Sequence, residues 1–334
     1  EDAGFEWSDL SPTKAYKDLK TTTGYGPDEE KARTLMKEGE SFFENKRYGE
    51  ASDKFKAAAK RWPKSPLEED AMFMAAESEF FADDYVKAQT GYEKLLTEYD
   101  NSRHLDTSVK RVFAIGQYWE KLYRKDPHWP VTPNVLDSTR PTFDTFGRAL
   151  KSYEIVRLKD PTGPLADDSL MATANAYFRK GRFEDPAFHY DLLRNEYSNS
   201  EHQAQAHLLA VQSKLQVYQG SNYDVTPLHE ADEIADQALT QFRDQLGDET
   251  VRMAETRNRI VDQLAERDWD MAQYYEKKEY YGAARMYYNT ILKQYPRTKR
   301  AQEARARLQR IQGEPAVPPN RYKWLTDRFQ RDEY

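Results

Sequence analysis

The sequence predicts an all-α fold, a solenoid of about six helix pairs, because one spacing recurs along the 334 residues. In its clearest form, an aromatic residue is followed by a small residue at +3, an aromatic at +7, an apolar residue at +10 and an aromatic at +14. A unit of this kind, repeated along a chain, is typical of stacked helix pairs. The six copies begin at Tyr48, Tyr85, Phe146, Phe183, Leu228 and Tyr281.

The turns between copies are a second observation in favour of this fold. The segment Trp62–Ser65 ends a helix, because Pro63 has no N–H for the next backbone hydrogen bond. Ser65 is then the predicted N-cap of the following helix, with Pro66 at its first position and Glu68 completing a capping box. Similar turns near residues 100, 198 and 296 predict further helix boundaries.

The third observation is a small residue on the first helix of the units. This helix is predicted to begin at Asp28, a good N-cap residue, and to carry Gly39. Glycine is unfavourable inside a helix unless a neighbouring helix comes too close for a side chain. Alanine stands at the equivalent place in three later units, nine residues before the repeat aromatic, as Ala76, Ala174 and Ala272. We therefore expect small-against-large packing within the pairs.

These boundaries predict three parts: an irregular leader at 1–27, the repeat array at 28–312, and a Pro-rich linker with an aromatic tail at 313–334. The array is expected to end in a capping helix at 297–312. Its units are predicted at about 28–64, 65–101, 102–162, 163–199, 200–246 and 247–297.

The third unit contains a Pro-rich insert at 126–141, with prolines at 127, 130, 133 and 141. Such a segment cannot be helical and is long for a connection inside a repeat array. It is either an insertion without a function of its own, or a binding loop or lid over the concave face of the array. Trp129 is the residue that favours a functional role, because a tryptophan is costly to leave in water.

Composition limits the classes of partner. The formal net charge is -7 and basic residues are scattered among acidic ones, so nucleic acid is not expected as a partner. The chain has no cysteine, which excludes disulfides and thiolate chemistry. No run of about 18 apolar residues is present, so no membrane-spanning segment is predicted.

The first unit matches the signature of the tetratricopeptide repeat, whose length is about 34 residues. Tyr48 is preceded by Gly39 and followed by Ala51, Ala58 and Pro63 at the spacing of that signature. Repeats of this class bind partners in the concave groove lined by the first helix of each unit. The resemblance therefore implies a groove whose candidate residues are Arg33, Glu40, Phe43 and Glu44 in unit one, Phe73, Glu77, Phe80 and Phe81 in unit two, and Asn175, Phe178 and Arg179 in unit four.

Aromatic faces mixed with fixed charges suit an extended peptide or the edge of a partner domain. Some of the phenylalanines are expected to be core between units instead. Glu40, Glu77, Asn175 and Arg179 have no evident packing reason to be there, so they are the stronger groove candidates.

Two stretches, SPLEEDAMFMAAESEFFADDYVKA and YDNSRHLDTSVKRVFAIGQYW, resemble the BamD (YfiO) lipoproteins. The resemblance implies a periplasmic scaffold at the outer membrane of a Gram-negative-type bacterium, with an Omp85-type barrel protein as partner and extended peptides as possible clients. It also implies a lipid anchor upstream of Glu1. Six units and the insert exceed the usual five units of that family.

No enzyme is predicted, because the sequence contains none of the signatures sought. The six histidines form no HExxH pair, and no glycine-rich phosphate-binding run is present. Acidic pairs stand at predicted helix starts, where they interact favourably with the helix dipole. Catalytic residues, metal sites and cofactors are therefore all expected to be absent.

Three alternatives remain open. One is a glycan-binding lipoprotein similar to the SusD class, with Trp129 and the groove aromatics stacking on sugar. A second is a periplasmic repeat adaptor similar to the cell-division coordinator CpoB, whose helices are hard to separate by motif. The third is an enzyme, for which only the insert, with His128 as the candidate group, could supply a site.

Overall fold

The structure, a computed structural model, describes residues 27–135, 137–220 and 223–319. Within these ranges the chain consists of fourteen α-helices and contains no β-strand, so the predicted all-α fold is confirmed. Most of the predicted leader and the aromatic tail lie outside the described residues. In chain order the helices are α1 (Glu29–Glu44), α2 (Tyr48–Arg61), α3 (Pro66–Phe81), α4 (Tyr85–Glu98), α5 (Leu105–Lys125), α6 (Thr145–Lys159), α7 (Ala166–Arg179), α8 (Glu184–Glu196), α9 (Gln203–Val217), α10 (Thr226–Gln241), α11 (Arg243–Leu246), α12 (Glu249–Lys277), α13 (Tyr281–Gln294) and α14 (Lys299–Ile311).

The chain forms two compact units, and the division falls inside α7, between Ala176 and Tyr177. In the first unit, α1 to α6 pack in sequence, each helix against the next. In the second unit, α8, α9 and α10 pack in sequence, as do α12, α13 and α14, and α10 also contacts α12. Each unit is therefore a short stack of antiparallel helices with mainly local contacts.

Capping side chains start the helices where the sequence predicts. The Asp28 carboxylate accepts a hydrogen bond from the Lys31 N–H at 2.9 Å, and the Ser65 hydroxyl accepts one from the Glu68 N–H at 3.1 Å. The Glu68 carboxylate accepts from the backbone N–H of Lys64, one residue before the capping-box position. The orphan donors at these two helix starts are thus partly satisfied.

Close packing inside the first pair accounts for Gly39. A Cβ at this position would lie 2.7 Å from ring carbons of Phe55, which is fully buried. The predicted small-against-large contact is confirmed here. A second case occurs on α5, where a Cβ on Gly116 would lie 2.9 Å from the ring of Tyr153.

Buried aromatics of the repeat form the centre of the core. The +7 position of five copies carries a ring that is at most 1% exposed, namely Phe55, Tyr92, Tyr153, Tyr190 and Tyr288. In the sixth copy the position is Ala235, which is also fully buried. These residues hold each pair together, so they define architecture rather than a site. Among the described residues, no helix is both long and apolar enough to cross a membrane.

Candidate functional site

Side chains of α3 and α5 meet along one face of the first unit. At its start, Asp70 of α3 forms an ion pair with Arg103, and its other oxygen lies 2.8 Å from Nε2 of His104. The His104 ring stacks on Phe73 with ring centres 4.0 Å apart and planes nearly parallel. Phe73, a predicted groove residue, is therefore partly covered by the ring of His104, which immediately precedes α5.

Farther along the same face, Glu77 is the centre of a buried network. Its carboxylate accepts two hydrogen bonds from Arg111, at 2.9 and 3.0 Å, and a short one from the Tyr92 hydroxyl. Glu77 is only 7% exposed. The expectation that it has no packing role is thus corrected: its carboxylate is satisfied inside the unit, and it positions Arg111 rather than meeting solvent.

These contacts fix the protonation states of the network. Burial and the adjacent Glu77 carboxylate raise the pKa of Tyr92 well above its usual value. The hydrogen bond to Glu77 raises the pKa of Arg111. Burial, together with a hydrogen bond to Asp83, raises the pKa of the neighbouring Tyr85 to about 12. The guanidinium therefore stays charged and both phenols stay neutral across the physiological range.

Beyond Arg111, four rings form what we call the aromatic group. The Phe81 ring meets Phe43 edge-on at 5.6 Å and stacks on Tyr48 at 5.7 Å, while Phe80 meets Phe81 edge-on at 5.7 Å. The Arg111 guanidinium lies 4.5 Å from the centre of the Phe80 ring and 5.2 Å from that of Phe81. Phe81 is nevertheless 42% exposed. The group thus presents a rigid apolar face beside a fixed positive charge.

The predicted charges on α1 differ in their surroundings. Glu40 and Glu44 are exposed and have no ion-pair partner in the part of the chain that the structure describes. Arg33 is also exposed, but it forms an ion pair with Glu29 at 2.8 Å and lies over the Trp62 ring at 5.5 Å. These two exposed carboxylates, on the helix of Phe43, therefore give this face of the unit negative charge.

The predicted residues of unit four lie on α7, where the two compact units divide. Asn175, in the first unit, is partly buried. In the second unit, Phe178 meets Phe183 edge-on at 5.5 Å, and the charge of Arg179 acts on Tyr190. A single groove that also includes these three residues stays a prediction.

Within the insert, Trp129 is 79% exposed. The structure thus places this side chain in solvent and not over the phenylalanines of the first unit, which counts against a lid. The Nδ1–H group of His128 donates to the Asp126 carbonyl at 2.9 Å, and its Nε2 lies 3.2 Å from the Thr145 hydroxyl. Both histidine nitrogens are therefore used in holding the loop.

The sequence reasoning missed Arg111 and assigned Tyr48 and Tyr92 to packing alone. A signal was present, because Arg111 stands nineteen residues after Tyr92 and Arg307 stands nineteen residues after Tyr288. A charged residue that keeps its distance from a repeat tyrosine is a candidate partner for it.

The second unit has a cleft next to its own version of this network. Glu276 accepts a hydrogen bond from the Tyr288 hydroxyl at 2.6 Å and one from Arg307 at 3.3 Å. Glu276 and Arg307 line a cleft of about 590 Å³, together with Tyr274 and Arg310 among others. Its charges are mixed in sign, so its geometry selects no particular ligand.

Comparisons with known proteins give one strong match. The model of the YfiO family, described as outer membrane lipoprotein, matches residues 28–128 and 140–314. No curated protein matches the sequence. A solved structure, a tetratricopeptide repeat protein from Parabacteroides merdae, is 11% identical, with 90% of this chain and 98% of that chain covered and a TM-score of 0.32.

Proposed function

The chain belongs to the YfiO family of outer membrane lipoproteins, and from that premise we propose that it is a non-catalytic scaffold in the assembly of outer-membrane proteins. It acts at the periplasmic face of the outer membrane, held there by a lipid anchor. Its partner is an Omp85-type barrel protein or the periplasmic part of one. The surface that binds is the α1–α3–α5 face of the first unit.

One observation carries the choice of surface: the aromatic group is preorganised and still accessible. Arg111 is held in place by Glu77, so neither the charge nor the rings over it must be ordered when a ligand arrives. Rigid aromatic anchors beside a desolvated arginine are the residues that contribute most to protein interfaces. This favours binding of a protein segment over a purely architectural role.

The chemistry of the face indicates an extended peptide with apolar and basic residues. The exposed ring of Phe81 fits an apolar side chain, and the exposed carboxylates of Glu40 and Glu44 fit cationic ones. An extended segment presents alternate side chains to the same surface, so it can use rings and charges together. Asn175 of the first compact unit, and Phe178 and Arg179 of the second, remain proposed peptide contacts of their own units.

A binding experiment with Phe81→Ala tests the proposal. The ligand is a synthetic extended peptide of alternating phenylalanine and lysine, titrated by calorimetry against the 334-residue chain. We expect about tenfold weaker binding, which corresponds to about 1.4 kcal/mol, since one accessible anchor ring is lost. Phe188→Ala, which removes an exposed ring of the second unit, is the matched control and should bind as the wild type does.

The partner is tested in the same two variants by recovery from outer-membrane extracts. The wild type and Phe188→Ala should retain an Omp85-type barrel protein, and Phe81→Ala should retain less. Equal recovery by all three would assign the partner contact to another surface. Binding of oligosaccharides with loss in Phe81→Ala would replace a peptide ligand by a glycan.

A further inference from the structure

Several large apolar side chains in and next to the insert are exposed to solvent. We call four side chains the insert tip, three within the insert and Phe143 two residues after it: Trp129 is 79% exposed, Val131 78%, Val135 80% and Phe143 54%. Isolated exposed apolar residues are ordinary, but a cluster on one loop marks an interaction site. The family match stops at residue 128 and resumes at 140, so most of this tip lies outside what the family shares.

Hydrogen bonds hold the tip in a defined shape. The Asp144 N–H donates to the Pro130 carbonyl at 3.0 Å, and the Asn134 N–H donates to the Thr142 carbonyl at 2.7 Å. These two bonds join the outgoing and returning limbs of the loop. Because each tip residue adjoins a residue of one of these bonds, the four apolar side chains belong to one small framework.

The returning limb of the insert is fixed to α5. Thr139 is the contact: its carbonyl accepts from the Trp119 indole N–H at 2.7 Å, and its hydroxyl pairs with that of Tyr118 at 2.9 Å. Trp119 is fully buried. The insert tip is therefore tied to α5 through its returning limb, and moving it would break these two hydrogen bonds.

The prolines of the insert reduce the number of backbone N–H groups that need a partner. Prolines occupy positions 127, 130, 133 and 141, and each removes an N–H donor that would otherwise need a partner. The Trp129 carbonyl also accepts from the Thr132 N–H at 2.9 Å. Since an unsatisfied backbone group is expensive away from water, these features lower the cost of burying the tip.

The charges around the base of the insert are mainly positive. Exposed cations stand in the last turn and a half of α5, next to the loop: Lys121, Arg124 and Lys125. The nearby acidic groups are mostly engaged, since Asp144 caps α6 and Asp137 binds Thr139 and Arg140. Asp126 is the exposed exception, with Arg140 4.0 Å away. These three exposed cations, which we call the cationic rim, outnumber the one exposed carboxylate at the base of the insert.

We propose that the insert tip binds an anionic phospholipid surface, with Trp129 at the level of the headgroups. Tryptophan is enriched at membrane interfaces, and clustered lysine and arginine are attracted to anionic lipids. An apolar tip with a cationic rim is complementary to such a surface. The proposal rests on the proposed location at the outer membrane but not on the peptide-binding face of the first unit.

Co-sedimentation with vesicles tests the lipid contact. The 334-residue chain is mixed with vesicles of equal parts phosphatidylglycerol and phosphatidylcholine, or of phosphatidylcholine alone. We expect binding to the mixed vesicles, and about tenfold weaker binding for Trp129→Ser/Val131→Ser. The matched control is Phe188→Ser/Val251→Ser, which removes two exposed apolar side chains of the second unit and should bind as the wild type does.

The cationic rim is tested by a second variant, Lys121→Gln/Arg124→Gln/Lys125→Gln. Each cation near an anionic surface is worth about a fivefold change in affinity, so binding to the mixed vesicles should fall by at least tenfold and lose most of its salt dependence. Equal binding of this variant and the wild type would contradict the charge complementarity on which the choice of ligand depends.

Depth of insertion is read from tryptophan fluorescence with brominated phospholipid. Wild-type emission should be quenched more than that of Trp129→Phe, which keeps the tip apolar but removes its indole. Equal quenching, or no binding of the wild type to mixed vesicles, overturns the proposal. The peptide titration on the tip variants separates the two proposals, because those variants should still bind the phenylalanine–lysine peptide with wild-type affinity.

Discussion

Each compact unit contains a glutamate that accepts hydrogen bonds from a repeat tyrosine and an arginine, but the two units hold the arginine differently. Glu77, Tyr92 and Arg111 of the first unit correspond to Glu276, Tyr288 and Arg307 of the second. In both, the arginine comes nineteen residues after the tyrosine, but the glutamate comes fifteen residues before it in the first unit and twelve in the second. The glutamates thus differ by about one helical turn.

The two arginines also differ in how firmly hydrogen bonds hold them. In the first unit Arg111 donates two well-formed bonds to a buried carboxylate and lies against Phe80 and Phe81. In the second, Arg307 makes a single 3.3 Å contact and opens onto the cleft. The repeat thus keeps the same packing residues in both units. One ion pair is buried and held by two hydrogen bonds, and the other lines a cleft.

The largest expected effect comes from breaking the locked pair. Arg111→Ala leaves the Glu77 carboxylate buried without its cation and should lower the free energy of unfolding by about 3 kcal/mol. Arg307→Ala removes a more exposed pair and should cost less than about 1 kcal/mol. Urea unfolding of both variants measures the contrast, and equal losses would remove the distinction between the units.

Acid should weaken the second unit through His207, which packs on Phe242 and contacts the Gln203 carbonyl through Nδ1 at 2.8 Å. Burial is the main cause that lowers its pKa from 6.5 to about 4. Between these values the unfolded chain binds more protons than the folded one, so stability falls as pH falls and is unaffected above about 7. We expect a loss of about 2 kcal/mol between pH 7 and pH 5 from this group.

Urea unfolding at the two pH values measures this loss in the wild type and in His207→Gln, which has no proton to bind in this range. The variant should show a smaller loss than the wild type by about that amount. A histidine variant with the same pH dependence as the wild type would assign the acid sensitivity to other groups.

A smaller effect tests the close packing of the first unit. Gly39→Ala places a methyl group against the buried ring of Phe55 and should destabilise the chain by about 1 to 2 kcal/mol. Gly49→Ala, on α2, has open space around the new methyl group and should be neutral or stabilising by up to about 1 kcal/mol. Thermal unfolding compares the two alanines. If Gly39→Ala were also stabilising, the helices of this pair would have room to separate.

The elements that the sequence predicted are those set by local chemistry. Asp28 and Ser65 cap their helices because capping depends on residues three positions away. Gly39 could be matched with a large ring because the repeat itself places the two helices side by side. The +7 aromatics were correctly assigned to the core for the same reason.

What the sequence did not reveal depends on contacts between neighbouring repeat units. Glu77 and Arg111 are 34 residues apart, and only the register of α3 against α5 makes them a pair. The same applies to His104 over Phe73. The attachment of the insert to α5 was also hidden, since it comes from Thr139 meeting Tyr118 and Trp119 and not from any motif within the loop.

The continuity of helix α5 sets the distance between the two sites that it connects. The helix carries Arg111 at the proposed peptide-binding face and Trp119 under the insert, eight residues apart and so separated by about 12 Å along one continuous helix. A 21-residue helix without proline does not stretch. It acts as a spacer of fixed length, so a segment held against Arg111 is presented at a set height above whatever surface the insert rests on.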